Sequence, residues 1–165
     1  MPDSQVSKIH EMLADFKTAM LVTQAHEALG RARPMAIAHV EPDCGLWFFT
    51  GRDTEKVHEI QDDSHVLIVC QNERSRYISL SGTAELVSDR AKAQELWKES
   101  FKTWFPRGVE DPNLLLIRIH PTAAEYWDNQ GVNSIRYMFQ AAKAYASGTR
   151  PDIKQGDQHG KVALK

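Results

Sequence analysis

The chain has 165 residues, of which 42% are hydrophobic and 25% are charged, and these values fit one globular domain with its own core. The formal net charge of −2 provides no electrostatic case for a nucleic-acid partner, and no stretch approaches the roughly 20 apolar residues that span a bilayer. Two cysteines are too few for a disulfide framework, and the first residues form no apolar signal segment. We therefore expect a cytoplasmic protein without nucleic-acid or membrane partners.

The first half of the chain predicts one helix and then short strands. Apolar residues at helical spacing predict a helix over 4–17. The β-favouring run 18–23 predicts a strand, and the polar stretch that ends in Gly30–Pro34 predicts a loop. Two further runs, 35–40 and 46–50, flank a segment with turn chemistry, so we expect a hairpin.

The second half continues in the same manner. Asp53 or Thr54 is expected to cap a short helix, and Gly82 is expected to mark a bulge. The remaining predicted elements are a strand buried on both faces at 65–70, an alternating strand at 76–87, a helix at 89–104, and strands at 114–120 and 122–127.

This tally of about seven short strands and three helices, in which hairpins dominate, predicts a mainly β fold. An antiparallel barrel suits it better than a doubly wound sheet, because no regular βαβ alternation is visible. We expect a single domain over residues 1–146. The polar, glycine-containing segment 147–165 is predicted to be a disordered tail.

The segment Trp47–Lys56 is the most informative for function. A strand runs into a turn at Gly51, and a helix begins directly afterwards. A helix N-terminus offers unpaired N–H groups, while threonine hydroxyls and the charges of Arg52 and Lys56 add donors. The segment therefore predicts a phosphate site, with a plain capped helix carrying two solvated cations as the alternative.

Arg33–Ala36 is a second candidate site. The strand that Arg33 enters carries small or modest side chains at Ala36, Ala38 and Val40, against which a flat ring could lie. The alternative is a surface arginine before a proline, with the alanines packed on a neighbouring element.

Other chemistry has less support in the sequence. The seven histidines fit no zinc spacing, and no side chain is required as a general acid or base, so we predict neither a metal site nor catalytic residues. The apolar stripe from Leu96 to Trp104 is assigned to the core or to a dimer interface. Cys44, in a turn, is expected to be exposed, and Cys70 is expected to be packed.

Taken in order, these segments resemble a known family. They are Arg33-Pro34-Met35 at a strand entry, Leu46–Thr50 followed by Lys56, the apolar run Val66–Val69, and Tyr77–Ala84. The chain resembles the pyridoxamine 5′-phosphate oxidase-like flavin-binding split-barrel proteins, in particular their general stress protein branch. The resemblance implies an antiparallel Greek-key split β-barrel of the FMN-binding type.

The resemblance also implies a cofactor, FMN with FAD as an alternative, and a homodimer that holds flavins between its subunits. By resemblance, Lys56, Thr54 and the backbone at Glu55 hold the phosphate, and Trp127 reaches the flavin of the other subunit. The residues implied in flavin binding are Arg33, Pro34, Met35, Ala36, Trp47, Phe48, Phe49, Thr50, Thr54, Glu55, Lys56, Gln71, Tyr77 and Trp127.

The function that this resemblance implies is an FMN-binding general stress protein and, if it is an enzyme, a flavin-dependent oxidoreductase. A non-enzymatic flavin-binding or sensing dimer, a pyridoxamine 5′-phosphate oxidase and a haem-handling split barrel remain alternatives. The chain departs from the pyridoxamine phosphate oxidases themselves, which are longer and carry a C-terminal arginine motif for the substrate phosphate. Here Trp127 is followed by Asp128-Asn129-Gln130, which argues against vitamin oxidation.

Overall fold

The structure is a computed structural model, and it describes residues 4–129, 132–150 and 159–164. Its helices are α1 (Ser4–Ala14), α2 (Glu55–Asp62), α3 (Arg90–Leu96) and α4 (Val132–Ser147), with short 3-10 segments at Glu99–Thr103 and Gly108–Glu110. Its strands are β1 (Thr18–Ala25), β2 (Ala28–Ala36), β3 (His39–Val40), β4 (Leu46–Gly51), β5 (His65–Gln71), β6 (Arg76–Val87), β7 (Leu114–Asp128) and β8 (His159–Ala163).

All strand pairs in this part of the chain are antiparallel. They follow the order β2-β1-β5-β6-β7-β4-β3, and β8 pairs with β7 beside that path. The sheet does not close, because β2 and β4 do not pair with each other. The prediction of a mainly β, antiparallel split barrel is confirmed.

The expected loop at Gly30–Pro34 is wrong, because these residues belong to β2 and pair with β1 along its length. Long-range pairing overrides the local polarity here: β2 is an edge strand with mostly exposed side chains, so its sequence lacks a hydrophobic alternation. Pro34 is tolerated because an edge strand leaves one row of backbone groups unpaired.

The chain changes partner at the end of β2. The Ile37 N–H donates to the Lys17 carbonyl beside β1, and the next N–H, at Ala38, donates to the Trp47 carbonyl on β4. The predicted strand 35–40 is thus divided at this corner, and its second part forms the expected hairpin with β4. The corner joins β2 and β4 at one end and lets their edges diverge at the other.

Two predictions about the central strands need correction. β5 is not buried on both faces: its side chains alternate between buried and exposed, because one face of this strand lies outside the barrel. The two strands expected on either side of Pro121 are one continuous strand, β7, in which Thr122 forms a bulge opposite Ser81 and Gly82 of β6 and so accommodates the proline. A Cβ on Gly82 would lie 2.3 Å from the His120 carbonyl oxygen, so this bulge requires glycine.

The helices are shorter than predicted. α1 ends at Ala14, although Phe16 just beyond it is buried in the core. The helix expected over 89–104 ends at Leu96 and is replaced by a 3-10 segment. Burial of Phe101 and Phe105 against the sheet, rather than helical continuity, sets the path of this segment.

The barrel interior forms the main core, which includes Ile68, Leu80, Ile117 and Tyr126, all of them at most 1% exposed. A second core lies outside the barrel wall between β4 and the α3 to 3-10 region. Its members are Ala38, Trp47, Phe49, Ala93, Leu96, Phe101, Phe105, Leu114 and Leu116.

The predicted disordered tail is corrected in part. Residues 159–163 form β8 on the edge of β7, and Val162 and Leu164 are buried in the main core. The short alternating run at the end of the chain supplies the strand, and the available edge of β7 supplies its partner. Residues 151–158 lie outside the described residues. The helix α4, which the sequence analysis did not predict, connects β7 to this region.

Candidate functional site

An open cleft lies where the barrel is split, between the diverging edges of β2 and β4. Its volume is about 560 Å³. The lining residues come from three places: the β2 edge with the start of β1, the β4 end with the start of α2, and the 3-10 segment with the loop after it. They are Thr18, Arg33, Pro34, Met35, Ala36, Phe49, Thr50, Gly51, Thr54, Lys56, Phe101, Trp104, Phe105 and Asn113.

One end of the cleft carries a cluster of polar donors. Thr54 precedes the first residue of α2, and its hydroxyl donates to the Gly51 carbonyl (2.9 Å) rather than capping the helix. The Lys56 ammonium donates to the Thr50 hydroxyl (3.3 Å). Because no side chain caps α2, the N–H groups at its start are left to a ligand or water.

Arg33 lies beside this cluster and is held in place by two neighbours. Its Nη2 donates to Glu59 Oε2 (2.7 Å), and its Nη1 donates to the buried Thr23 hydroxyl (2.5 Å), which donates in turn to the same carboxylate. A guanidinium has five N–H donors, so Arg33 can keep these bonds and still present donors to the cleft. Glu59 and Thr23 therefore fix the direction of the Arg33 side chain.

The charged side chains that line the cleft all carry the same sign. Among the described residues that line it, Arg33 and Lys56 are charged, and both are cations. The pKa of Lys56 is lowered, first because burial disfavours the ammonium and second because Arg33 repels it, with Glu59 opposing the shift. An anion placed between these two cations would relieve the repulsion.

The cleft chemistry fits a phosphorylated planar molecule. The donor set suits a phosphate: an ammonium, a guanidinium, threonine hydroxyls and the start of a helix. Gly51 keeps this end open, since a Cβ there would lie 2.9 Å from the Asn113 side-chain nitrogen. Away from this end, Pro34, Met35 and Ala36 form an apolar strand edge.

An aromatic wall faces that edge. Phe49 was among the predicted flavin-binding residues, whereas the stripe that contains Phe101 and Trp104 was assigned to the core or to a dimer interface. The Phe49 ring lies 4.8 Å from Phe101 and 6.5 Å from Phe105, centroid to centroid. These three rings belong to the second core and line the cleft as well. Trp104, between Phe101 and Phe105 in sequence, is exposed and also lines the cleft. The chain leaves α-helical geometry after Leu96, and no local sequence pattern indicated this change.

Several predicted side chains of this region point away from the cleft. Phe48 is fully buried in the barrel, and Trp47 is buried in the second core between Lys92 and Arg118. The Glu55 side chain is exposed and pairs with Arg31, whereas the prediction concerns its backbone N–H, which belongs to the first residue of α2 beside the cleft.

Arg52, expected to supply positive charge to the phosphate site, points away from the cleft. Its side chain donates to the Pro112 carbonyl (3.2 Å) and to the Ser88 hydroxyl (2.6 Å).

The remaining predicted residues lie on the same sheet face as the cleft floor, in one row across five strands. Paired residues of an antiparallel sheet point to the same side. Ala36 pairs with Thr18, the β1–β5 register places Thr18 opposite Gln71, and the row continues through Tyr77 to Trp127. Four strand steps at about 4.8 Å put Trp127 roughly 19 Å from Ala36 along the sheet. Within this chain, Gln71, Tyr77 and Trp127 therefore do not border the cleft.

This outer sheet face is open and carries several exposed apolar side chains. Met20, Val69, Tyr77 and Trp127 are each more than a third exposed. At its far end the His159 ring stacks on Trp127 with centroids 5.3 Å apart, and His159 Nε2 lies 2.7 Å from Glu125 Oε1.

Other features of the described residues bear on the remaining predictions. They contain no group of three His, Cys, Asp or Glu side chains that could hold a metal ion. None of the helices in the ranges that the structure covers is long and apolar enough to cross a bilayer. Cys44, expected to be exposed, is fully buried, because the turn at 41–45 folds back onto α1 and its thiol donates to the Val6 carbonyl (3.6 Å).

Solved structures of two bacterial general stress proteins are similar to this chain. The chain is 28% identical to the general stress FMN/FAD binding protein of Xanthomonas citri, with a TM-score of 0.68 over 78% of this chain and 92% of that one. It is 26% identical to General Stress Protein 26 of Bacillus anthracis, with a TM-score of 0.68 over 75% of this chain and 94% of that one.

A curated relative, protein bli-3 of Neurospora crassa, is 27% identical over 135 residues. The match covers 75% of this chain and 65% of that protein, so the chain spans less than two thirds of its length. The family model described as pyridoxamine 5′-phosphate oxidase like matches residues 4–152. The chain belongs to the pyridoxamine 5′-phosphate oxidase-like family.

Proposed function

We propose that this protein binds flavin mononucleotide in the cleft between β2 and β4, with the phosphate at the Lys56 end. One observation carries the proposal. The charged residues that line the cleft, Lys56 and Arg33, are both cations, and they lie next to the start of α2, which no side chain caps. Their mutual repulsion and the burial of Lys56 favour an anionic ligand at this point. The Thr50 and Thr54 hydroxyls add neutral donors.

The planar part of the flavin lies along the β2 edge. Pro34, Met35 and Ala36 offer a low apolar surface, and an edge strand has unpaired backbone N–H and C=O groups for the polar rim of a ring. The Xanthomonas citri relative is named for binding both FMN and FAD, which is consistent with a flavin here. We place FMN first because the phosphate donors are confined to one cluster.

The functional unit in this proposal is a homodimer. The outer sheet face carries apolar side chains that the described residues leave exposed, and β5 is the middle strand of β2-β1-β5-β6-β7. A twofold axis that runs parallel to the strands beside β5 would place β2 of one copy over β7 of the other. Trp127 of the partner subunit would then border the cleft at Ala36, and Gln71 and Tyr77 would lie near the axis. This arrangement explains how the predicted residues that are about 19 Å apart could serve one flavin.

The cellular role in this proposal is that of a cytoplasmic general stress protein, the role for which the Bacillus anthracis relative is named. A bound flavin supplies electron or hydride transfer, and the protein binds it, orients it and shields it from water. Within the described cleft the lining side chains provide phosphate donors and apolar walls. We therefore expect any oxidoreductase activity to depend on the flavin rather than on a protein acid or base.

The test is the ligand that copurifies with the protein, identified by visible spectrum and mass. Flavin absorption together with the mass of FMN is the expected result, and a haem spectrum or a colourless protein that takes up no added flavin would refute the proposal. Adding pyridoxamine 5′-phosphate anaerobically then separates two activities: flavin that stays oxidised argues against the vitamin oxidase. Light scattering of the flavin-loaded protein measures its molecular mass, which should be that of a dimer.

A further inference from the structure

An indole ring lies exposed at the cleft and has no stacking partner in the described part of the chain. The Trp104 side chain is 75% exposed and belongs to the cleft lining. Its neighbours Phe101 and Phe105 are buried and pack near Phe49. The segment from Phe101 to Phe105 is thus anchored by its two phenylalanines, and the tryptophan between them stays exposed.

Packing does not account for a tryptophan at this position. An indole stabilises a fold through its buried area, and most of this one is in contact with solvent. Trp97, by comparison, packs edge-on against Phe49 (5.7 Å) within the second core. An exposed aromatic ring beside an apolar strand edge and a cationic cluster has the surroundings of a stacking surface for a planar ligand.

We propose that Trp104 is a stacking platform for a heteroaromatic ring of the bound ligand and sets how tightly that ring is held. This inference rests on the proposed function, because the ligand is taken to be a flavin nucleotide. The ring that stacks has two sources: the isoalloxazine shared by all flavins, or the adenine that only the dinucleotide carries. Both are flat, nitrogen-containing ring systems, and an indole stacks on either.

The experiment compares the wild type with Trp104→Ala and Trp104→Phe, in titrations with riboflavin, FMN and FAD. Loss of an aromatic stack weakens binding roughly 5- to 150-fold, and phenylalanine should recover most of that loss. If the isoalloxazine stacks, Trp104→Ala weakens all three ligands by one factor and increases the fluorescence of the bound flavin, which a stacked indole quenches. If the adenine stacks, only FAD is weakened.

The matched control is Tyr145→Ala, which removes an exposed aromatic ring on α4 outside the cleft lining and should leave all three affinities unchanged. Wild-type and variant thermal transitions should coincide, because Trp104 contributes little buried area. A variant Trp104→Ala that binds every flavin like the wild type, with or without a change in oligomeric state, overturns the stacking role alone. A wild-type protein that binds no flavin overturns the proposed function and the stacking role together.

Discussion

The Arg33 guanidinium donates to Glu59 Oε2 across 2.7 Å while it lines the cleft, so a helix residue fixes the direction of a strand cation. The same carboxylate accepts from the buried Thr23 hydroxyl and pairs with Arg31 Nη1 (3.2 Å). The arrangement links β1, β2 and α2 behind the phosphate end. Of the two cations in the described cleft lining, Arg33 is therefore bonded to a carboxylate, whereas Lys56 donates to the Thr50 hydroxyl.

We expect Glu59→Gln to reduce the free energy of unfolding by about 1.5–3 kcal/mol, the range for a hydrogen bond to a charged group. Urea denaturation at neutral pH measures this. Glu55→Gln is the matched control: Glu55 is an exposed partner of Arg31, and its loss should cost less than about 1 kcal/mol. Equal losses in the two variants would contradict the assigned role of Glu59.

The Glu59 effect should also depend on pH. Burial raises the pKa of this carboxyl, but the bonds from Thr23 and Arg33 and the charges of Arg33 and Arg31 outweigh burial, so its pKa is lowered. A lowered folded-state pKa stabilises the protein fully above the unfolded value, near pH 4.3, and the contribution is lost as pH falls through the folded value. The difference between wild type and Glu59→Gln should therefore shrink in acid; a difference independent of pH would be inconsistent with this.

Lys56→Ala is expected to weaken FMN binding by about 10- to 150-fold, equivalent to one charge-assisted hydrogen bond of 1.5–3 kcal/mol. Riboflavin, which lacks the phosphate, should bind the variant as it binds the wild type. Arg52→Ala is the control, since Arg52 is bonded to Pro112 and Ser88 away from the cleft. Fluorescence titration measures the affinity of each protein for FMN and for riboflavin. A Lys56 variant with unchanged FMN affinity would exclude the phosphate assignment.

Val69→Glu is expected to convert the proposed dimer into a monomer. Val69 is exposed at the centre of the outer sheet face, and a carboxylate there would have to be desolvated in an apolar interface. Light scattering at micromolar concentration measures the molecular mass. Leu29→Glu, at a fully exposed position near the tip of the β1–β2 hairpin, should leave the mass unchanged. A wild type that is already monomeric would refute the dimer.

Leu164→Ala tests the contribution of the C-terminal strand region to the barrel. Leu164 is buried in the main core, and its N–H donates to the Thr122 carbonyl (2.8 Å). We expect a loss of about 2 kcal/mol or more in unfolding free energy, as for other buried leucines. Lys161→Ala, at an exposed position of β8, should cost little. If the segment contributed nothing to the fold, the two variants would be equally stable.

Both thiols should be inert in the native protein. Burial and the charge of Asp43 raise the pKa of Cys44 to about 11, and burial raises the pKa of Cys70 to about 12. At pH 8 very little thiolate is present, whereas an unfolded cysteine has a pKa near 8.5. A thiol-reactive disulfide reagent should modify two sites rapidly in denaturant and neither in the native state. Rapid labelling of native protein would contradict the burial of Cys44.

Local sequence patterns were sufficient for part of the fold. The alternation in β6, the apolar β4 run and the glycine at the bulge depend on side chains and neighbours close in the chain, and those predictions agree with the structure. The β2 edge, the single strand through Pro121 and β8 were missed. Each depends on a partner strand far away in sequence, which supplies hydrogen bonds that compensate for weak local propensity.

The candidate site divides in the same way. The strand–turn–helix segment ending at Lys56 is contiguous, so its residue types indicated an anion site without knowledge of the fold. Tertiary structure decided that Arg33 lies beside Lys56 with its guanidinium bonded to Glu59, and that the Arg52 side chain points away from the cleft. It also decided that Trp104 joins the cleft lining. Side-chain direction and the meeting of distant segments follow from strand register and the split between β2 and β4, and neither is encoded by spacing within one segment.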